Sequence, residues 1–153
     1  LQRIYTIVRG ASDPANDFDM GASANACLVV MVVRGFNAVT AVDTSSAANT
    51  GAGPTTDVTA TGVTTAENDE LLITSHSVND NGSFTPPSGM TELVDINIGT
   101  SMCLEVNYVL QSAKGASGNK TATHSASSSK SRAACLLAIK PRTENVFLFR
   151  GIG

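Results

Sequence analysis

The chain contains no tryptophan, and aromatic residues make up only 5% of its 153 positions. Ring-stacking platforms of the kind that grip sugars or unpaired bases are therefore scarce. The two tyrosines, Tyr5 and Tyr108, both fall on strand positions expected to face a core. Charge is also sparse, at 15% of residues, and 10 Lys+Arg against 13 Asp+Glu leave a formal charge of -3. That balance supplies no basic field to hold a phosphate backbone, so no nucleic acid is expected as a partner. No apolar run reaches the roughly 18 residues of a membrane helix. The longest is Ala26–Val33, and no membrane partner is expected. Three cysteines are an odd number in a chain too long to need disulfide staples. Cys27 and Cys135 sit in apolar runs and are expected as buried free thiols. No Gly-x-Ser-x-Gly elbow, phosphate loop or metal-ligand spacing is present, so the sequence assigns no catalytic residue, no cofactor and no metal.

What the chain does have is aliphatic and small. Hydrophobic residues reach 42%, and a single domain of this length buries roughly 68–70% of the surface its unfolded chain exposes. Strand signals dominate, because β-branched residues alternate with polar ones between breaks of Gly, Pro, Asn and Ser. They predict strands over Gln2–Arg9, Ala38–Asp43, Thr56–Thr65, Glu70–Val78, Met90–Ile98, Met102–Gln111 and Asn119–Ser125. Two continuous apolar runs, Ala26–Val33 and Ala133–Ile139, read as central strands shielded on both faces. In Met102–Gln111 the strict alternation predicts a dry face of Met102, Leu104, Val106, Tyr108 and Leu110. The wet face is then Cys103, Glu105, Asn107 and Gln111. Asn81-Gly82 marks a tight reversal.

Two stretches are alike. Leu1–Tyr5, a small-residue loop and Asn25–Val30 recur as Leu104–Tyr108, a second small-residue loop and Ala133–Ala138. Each ends in a cation, Arg34-Gly35 in one and Lys140-Pro141-Arg142 in the other. The pattern predicts an all-β, antiparallel sandwich with an internal pseudo-repeat, whose halves are about 1–43 and 90–142 of a domain spanning 1–142. Leu1 already lies within a strand-like pattern, so opening strands are expected ahead of it or borrowed from elsewhere. Residues 143–153 read as a C-terminal strand or tail that either closes the domain's own edge or augments a neighbour's sheet, with Val146, Phe147, Leu148 and Phe149 as candidate anchors for a neighbouring subunit.

The remaining candidates have plain readings. His76 and His124 lie on strands between Ser or Thr residues and are expected to face solvent rather than to form a triad. Two oxygen-rich loops, Asp13/Asn16/Asp17/Asp19 and Asn79/Asp80/Asn81, have the donors of a calcium site without its spacing, so ordinary turns are expected. Lys114, Lys120, Lys130 and Arg132 read as a solvated rim that discourages edge pairing.

The run Phe84-Thr85-Pro86-Pro87-Ser88-Gly89-Met90-Thr91-Glu92-Leu93, with the later strand Ala134–Pro141, resembles a jelly-roll-like β-sandwich module. Such modules occur in bacteriophage virion structural proteins, of decoration or fibre type, and in bacterial surface proteins. Met90 stands where that pattern prefers Trp. The resemblance implies a non-enzymatic virion component, most concretely a capsid decoration or cement protein. Its partners would be capsid or other virion proteins and further copies of itself, with a trimer preferred. The alternative it implies is an extracellular or cell-surface adhesin or tail-fibre module. Such a module would grip a glycan or receptor through Thr44–Thr55, Asn79–Ser83 and Ser112–Gly118.

Overall fold

A computed structural model describes residues 27–37, 39–99 and 101–142 of the chain. Among these residues there is no helix, and every strand pairing is antiparallel. The strands are β1 (Val42–Ser45), β2 (Asn49–Gly51), β3 (Thr55–Ala60), β4 (Thr64–Thr65), β5 (Glu70–Val78), β6 (Phe84–Thr85), β7 (Thr91–Ile98), β8 (Met102–Gln111), β9 (Gly115–Ala116), β10 (Lys120–Ser128) and β11 (Arg132–Ile139). A large sheet runs β1-β11-β5-β8-β7, with β2 joining β1 on the same side of β11. A small sheet runs β3-β10-β6, and β4 pairs with β9 in a short ribbon. The two sheets form a β-sandwich.

Strand alternation sets the core. Leu72 and Val78 of β5, Cys103 of β8, and Ala134, Leu136 and Ala138 of β11 point inward and meet Val58 and Ala60 of β3, Phe84 of β6 and Ala122 of β10. Alanines recur in this layer because facing sheets pack about 10 Å apart, and small side chains let aliphatic ones interdigitate. The opposite face of the large sheet carries a second cluster, Ile73, Val106, Leu137 and Ile139. Val29, Met31, Val33 and Phe36 pack against it.

That covering segment corrects one expectation. Residues 27–34 belong to no strand. Instead of being shielded on both sides, the run alternates, with Val30 at 73% and Val32 at 67% exposure while Val29 and Met31 rest on the sheet. An unbroken apolar run suits either a central strand or a strap laid over an apolar sheet face, and here the second burial mode operates. Cys27 is accordingly only half-buried, while Cys103 and Cys135 are buried, and all three are free thiols. Glu70–Val78 and Met102–Gln111 are strands over the predicted spans.

Near the strap's end, Phe36 bridges Pro141, the Asn37 N–H donates to the Lys140 carbonyl, and the Arg142 N–H donates to Gly35. The cation-bearing ends of the two similar stretches thus lie side by side. On the other flank, Ser46 stitches the gap between β1 and β2. Its backbone N–H donates to the Leu136 carbonyl and its Oγ accepts the Leu136 N–H. The first copy of the repeat up to Ala26, and the tail with Val146, Phe147, Leu148 and Phe149, lie outside the described residues.

Candidate functional site

The histidines are the second correction. His76 and His124 are both buried, at 0% and 1% exposure, not solvent-facing. The period of two in β5 places His76 on the same face as Leu72 and Val78, a signal readable in the sequence once both neighbours are taken as core. The Nε2–H of His76 donates to the Lys120 carbonyl at 3.1 Å, so its Nδ1 carries the lone pair. That Nδ1 faces the Asn107 amide at 3.5 Å and Glu105 Oε2 at 3.6 Å.

Glu105 and Asn107 are themselves fully buried, which reverses the wet face expected for β8. The large sheet is covered on both sides there. The face expected to be dry is buried at Leu104 and Val106 but opens at Tyr108 and Leu110. Register explains the clustering, since Ala134, His76, Glu105 and Asp95 lie opposite one another across β11, β5, β8 and β7. Three ionisable groups therefore occupy one row.

The row is short of donors. Asp95 Oδ2 accepts the Phe84 N–H at 2.8 Å, but Asp95 Oδ1, both Glu105 oxygens and Asn107 Oδ1 are buried without a partner. Burial, reinforced by the negative charge of Asp95 and Glu92 and opposed by the Asn107 amide, pushes the Glu105 carboxyl up to about 7. Burial takes His76 the other way, down to about 4, against the pull of the Lys120 carbonyl. Both groups are thus neutral in mildly acidic solution, with the proton on the carboxyl.

Above this row the Pro-Pro-Ser-Gly-Met segment turns back on itself. The Met90 N–H donates to the Pro87 carbonyl, and Gly89 takes the positive φ of 77° that the third position of a type II turn requires. Met90 then meets the row's neighbour, as the Thr74 hydroxyl donates to its sulfur at 3.6 Å. Phe84 stands between the histidines, 6.4 Å from the His76 ring and 5.3 Å from His124. His124 donates from Nδ1 to the Ala126 carbonyl at 2.7 Å. Its Nε2 is buried without a partner beneath Gly82, where any Cβ would collide with the ring. The glycine of Asn81-Gly82 is needed for this close approach.

Neither histidine has the geometry of a nucleophilic triad, in which one ring nitrogen meets a serine and the other a carboxylate. Each donates to a main-chain carbonyl instead. The thiols offer no activated nucleophile either, since burial raises Cys27 and Cys135 and pushes Cys103 up to about 11.

A second polar group lies at the β1 flank. Lys140 Nζ meets Asp43 Oδ1 at 3.1 Å and Glu67 Oε1 at 3.8 Å, and Asp43 Oδ2 accepts the Ala66 N–H. Burial raises Glu70, opposed by the Glu67 N–H that its Oε1 accepts and reinforced by the nearby charge of Asp43. Burial also acts on Asp43, but the Ala66 N–H and Lys140 outweigh it and lower that carboxyl.

The Asn79/Asp80/Asn81 loop is a turn held by its own side chains. Asp80 accepts from the Asn81 N–H and the Ser128 hydroxyl, and Asn81 accepts from Asn97. Among the described residues no group of three or more His, Cys, Asp or Glu side chains could hold a metal ion. Asp13, Asn16, Asp17 and Asp19 lie outside them. Arg132, expected on a solvated rim, instead donates to the Gly53 carbonyl at 2.8 Å and lies against Gly51, where the absent Cβ leaves room for the guanidinium.

Two concave surfaces complete the description. An open apolar groove of about 450 Å³ runs between residues 28–32 of the strap and Leu93, Val94 and Ile96 of β7. A polar cleft of about 240 Å³ lies between β2 and β3, walled by Asn49, Thr50, Thr55, Asp57 and Arg132 among others. Comparison with known protein families, curated proteins and solved structures finds no match to the chain.

Proposed function

We propose that this chain is a non-enzymatic structural protein that works through contact area, most concretely a capsid decoration protein joining a phage shell as a symmetric homo-oligomer. The observation that carries this reading is the apolar groove along β7. Its walls hold Leu28, Val30, Val32, Leu93 and Ile96 and no charged side chain. Val30, Val32, Leu28 and Leu93 are exposed there, and contiguous apolar surface is what association buries. The groove's occupant in this reading is a second copy of the chain, because uncharged walls let identical surfaces meet without like-charge repulsion. The phage shell itself comes from the resemblance of the Phe84–Leu93 motif to virion modules, as do the trimer and the virion location.

Sedimentation velocity of the full chain tests the reading. A discrete oligomer that dissociates in Val30→Ser/Val32→Ser supports it. A monomer at about 100 μM, which excludes self-association stronger than about −5.5 kcal/mol, overturns it.

A second reading is favoured by the polar cleft. The Thr44–Thr55 segment, a candidate grip loop of an adhesin, supplies Asn49, Thr50, Gly51 and Thr55 to that cleft beside Arg132 and Asp57. Among the described residues no carboxylate forms an ion pair with Arg132. Hydroxyls, an amide and a guanidinium around a small cavity suit a hydroxylated ligand. Glycan-array binding that is lost in Arg132→Ala would favour this reading over the first.

A further inference from the structure

Packing alone does not explain the Asp95–Glu105–His76 row. Each oxygen buried without a donor costs free energy, and a carboxyl directly opposite another across two paired strands is a destabilising choice when both are charged. The row is also asymmetric. His76 is held from the small sheet through the Lys120 carbonyl and sits on β5, with β8 on one side and β11 on the other. Glu105 has His76 on one side, but on the other only Asp95 of β7, the last strand of the large sheet among the described residues.

We propose that β7 is a proton-keyed edge strand: with Glu105 protonated it lies closed on β8, and loss of that proton favours its detachment, because two carboxylates then face each other beneath it.

The groups facing Glu105 support this assignment from each element. On β5 there is His76, and on β7 Asp95 and, farther off, Glu92. The small sheet contributes the uncharged Phe84 ring on β6, with His124 of β10 beyond it, and from Lys120 only its carbonyl. Among the described residues no Lys or Arg pairs with Glu105 or Asp95. Ionised Glu105 therefore has no cation inside, and opening β7 gives it water.

Closure holds Glu105 at about 7, and the largest effect follows if opening β7 gives the carboxyl full access to water and its ordinary value of 4.5. His76 stays enclosed in both states, so its titration does not cancel the effect. Closure then weakens by up to tenfold per pH unit well between those values, or about 40-fold from pH 5 to pH 7. This holds whether or not the chain self-associates.

The test is hydrogen–deuterium exchange of the full chain at pH 5 and pH 8, with rates corrected for intrinsic chemistry. The expected result is a loss of protection of about 70-fold for the Thr91–Ile98 amides bonded to β8, with β5 and β11 little changed. In Glu105→Gln that pH dependence disappears. Equal protection of β7 at both pH values, or the same loss in Glu105→Gln, would overturn the proposal. Should that variant not fold, ¹³C titration of the Glu105 carboxyl in the unaltered chain decides. A midpoint near 7 supports the proposal, and one near 4.5 refutes it.

Discussion

The two faces of the large sheet are built in opposite senses. The inner face, closed by a second sheet, holds Glu105, Asn107, His76 and Thr74 at no more than 1% exposure beside Leu72 and Leu136. The outer face, covered by a strap, leaves Tyr108 at 37% and Leu110 at 55% exposure. Polar residues lie within and apolar ones reach water, although both faces come from the same strands. Alternation dictates which residues share a face, and the number of layers above that face decides what it experiences. Burial in β8 is thus a property of the architecture around it.

Large-to-small substitutions should separate the faces most. Leu136→Ala removes a fully enclosed side chain and is expected to cost about 3–5 kcal/mol in urea unfolding. Val30→Ala on the strap is expected to cost about 0.5 kcal/mol or less. Comparable costs would end the distinction.

The next effect reverses sign. Glu105 is raised from 4.5 to about 7, so its contribution is complete below 4.5 and is lost as pH rises through 7. His76 is lowered from 6.5 to about 4, so its contribution is complete above 6.5 and is lost as pH falls through 4. The two slopes oppose each other. Global stability is therefore expected to be nearly flat between about pH 4.5 and 6.5, because folding moves a proton from imidazole to carboxyl instead of binding or releasing one. Glu105→Gln is expected to gain about 3 kcal/mol at pH 8, helped by amide donors for the unpartnered oxygens around it. The same variant should weaken progressively from pH 6.5 to pH 4, where the unaltered chain does not. Urea unfolding across this range measures both.

Gly82→Ala places a methyl group against the His124 ring and is expected to cost about 1–3 kcal/mol, read as a lowered Tm. Smallest for the fold is Val30→Ser/Val32→Ser, where unfolding should shift by about 0.5 kcal/mol or less while any oligomer dissociates. Strong destabilisation there would mean that the strap belongs to the core.

Much of the fold was legible because strand signals are local. Glu70–Val78 and Met102–Gln111 announced themselves by alternation, and Ala133–Ile139 by an unbroken apolar run of strand length. The site was less legible because its determinants are not local. Nothing near Glu105 says that a second layer covers it, and nothing near His124 says that Gly82 lies on its ring. His76 was half-readable, since Leu72 and Val78 share its register, but its serine neighbours on the other face suggested solvent. The strap departs from expectation because an apolar run states that it will be buried without stating against what.

The Ser46 stitch has a consequence for how the protein behaves at high concentration. β1 and β2 occupy one margin of β11 in two short pieces, and Ser46 takes up the Leu136 amide between them. Little of that margin remains to template another chain. Short, offset strands give an incoming chain little continuous backbone to pair with, which disfavours open-ended sheet growth along that margin.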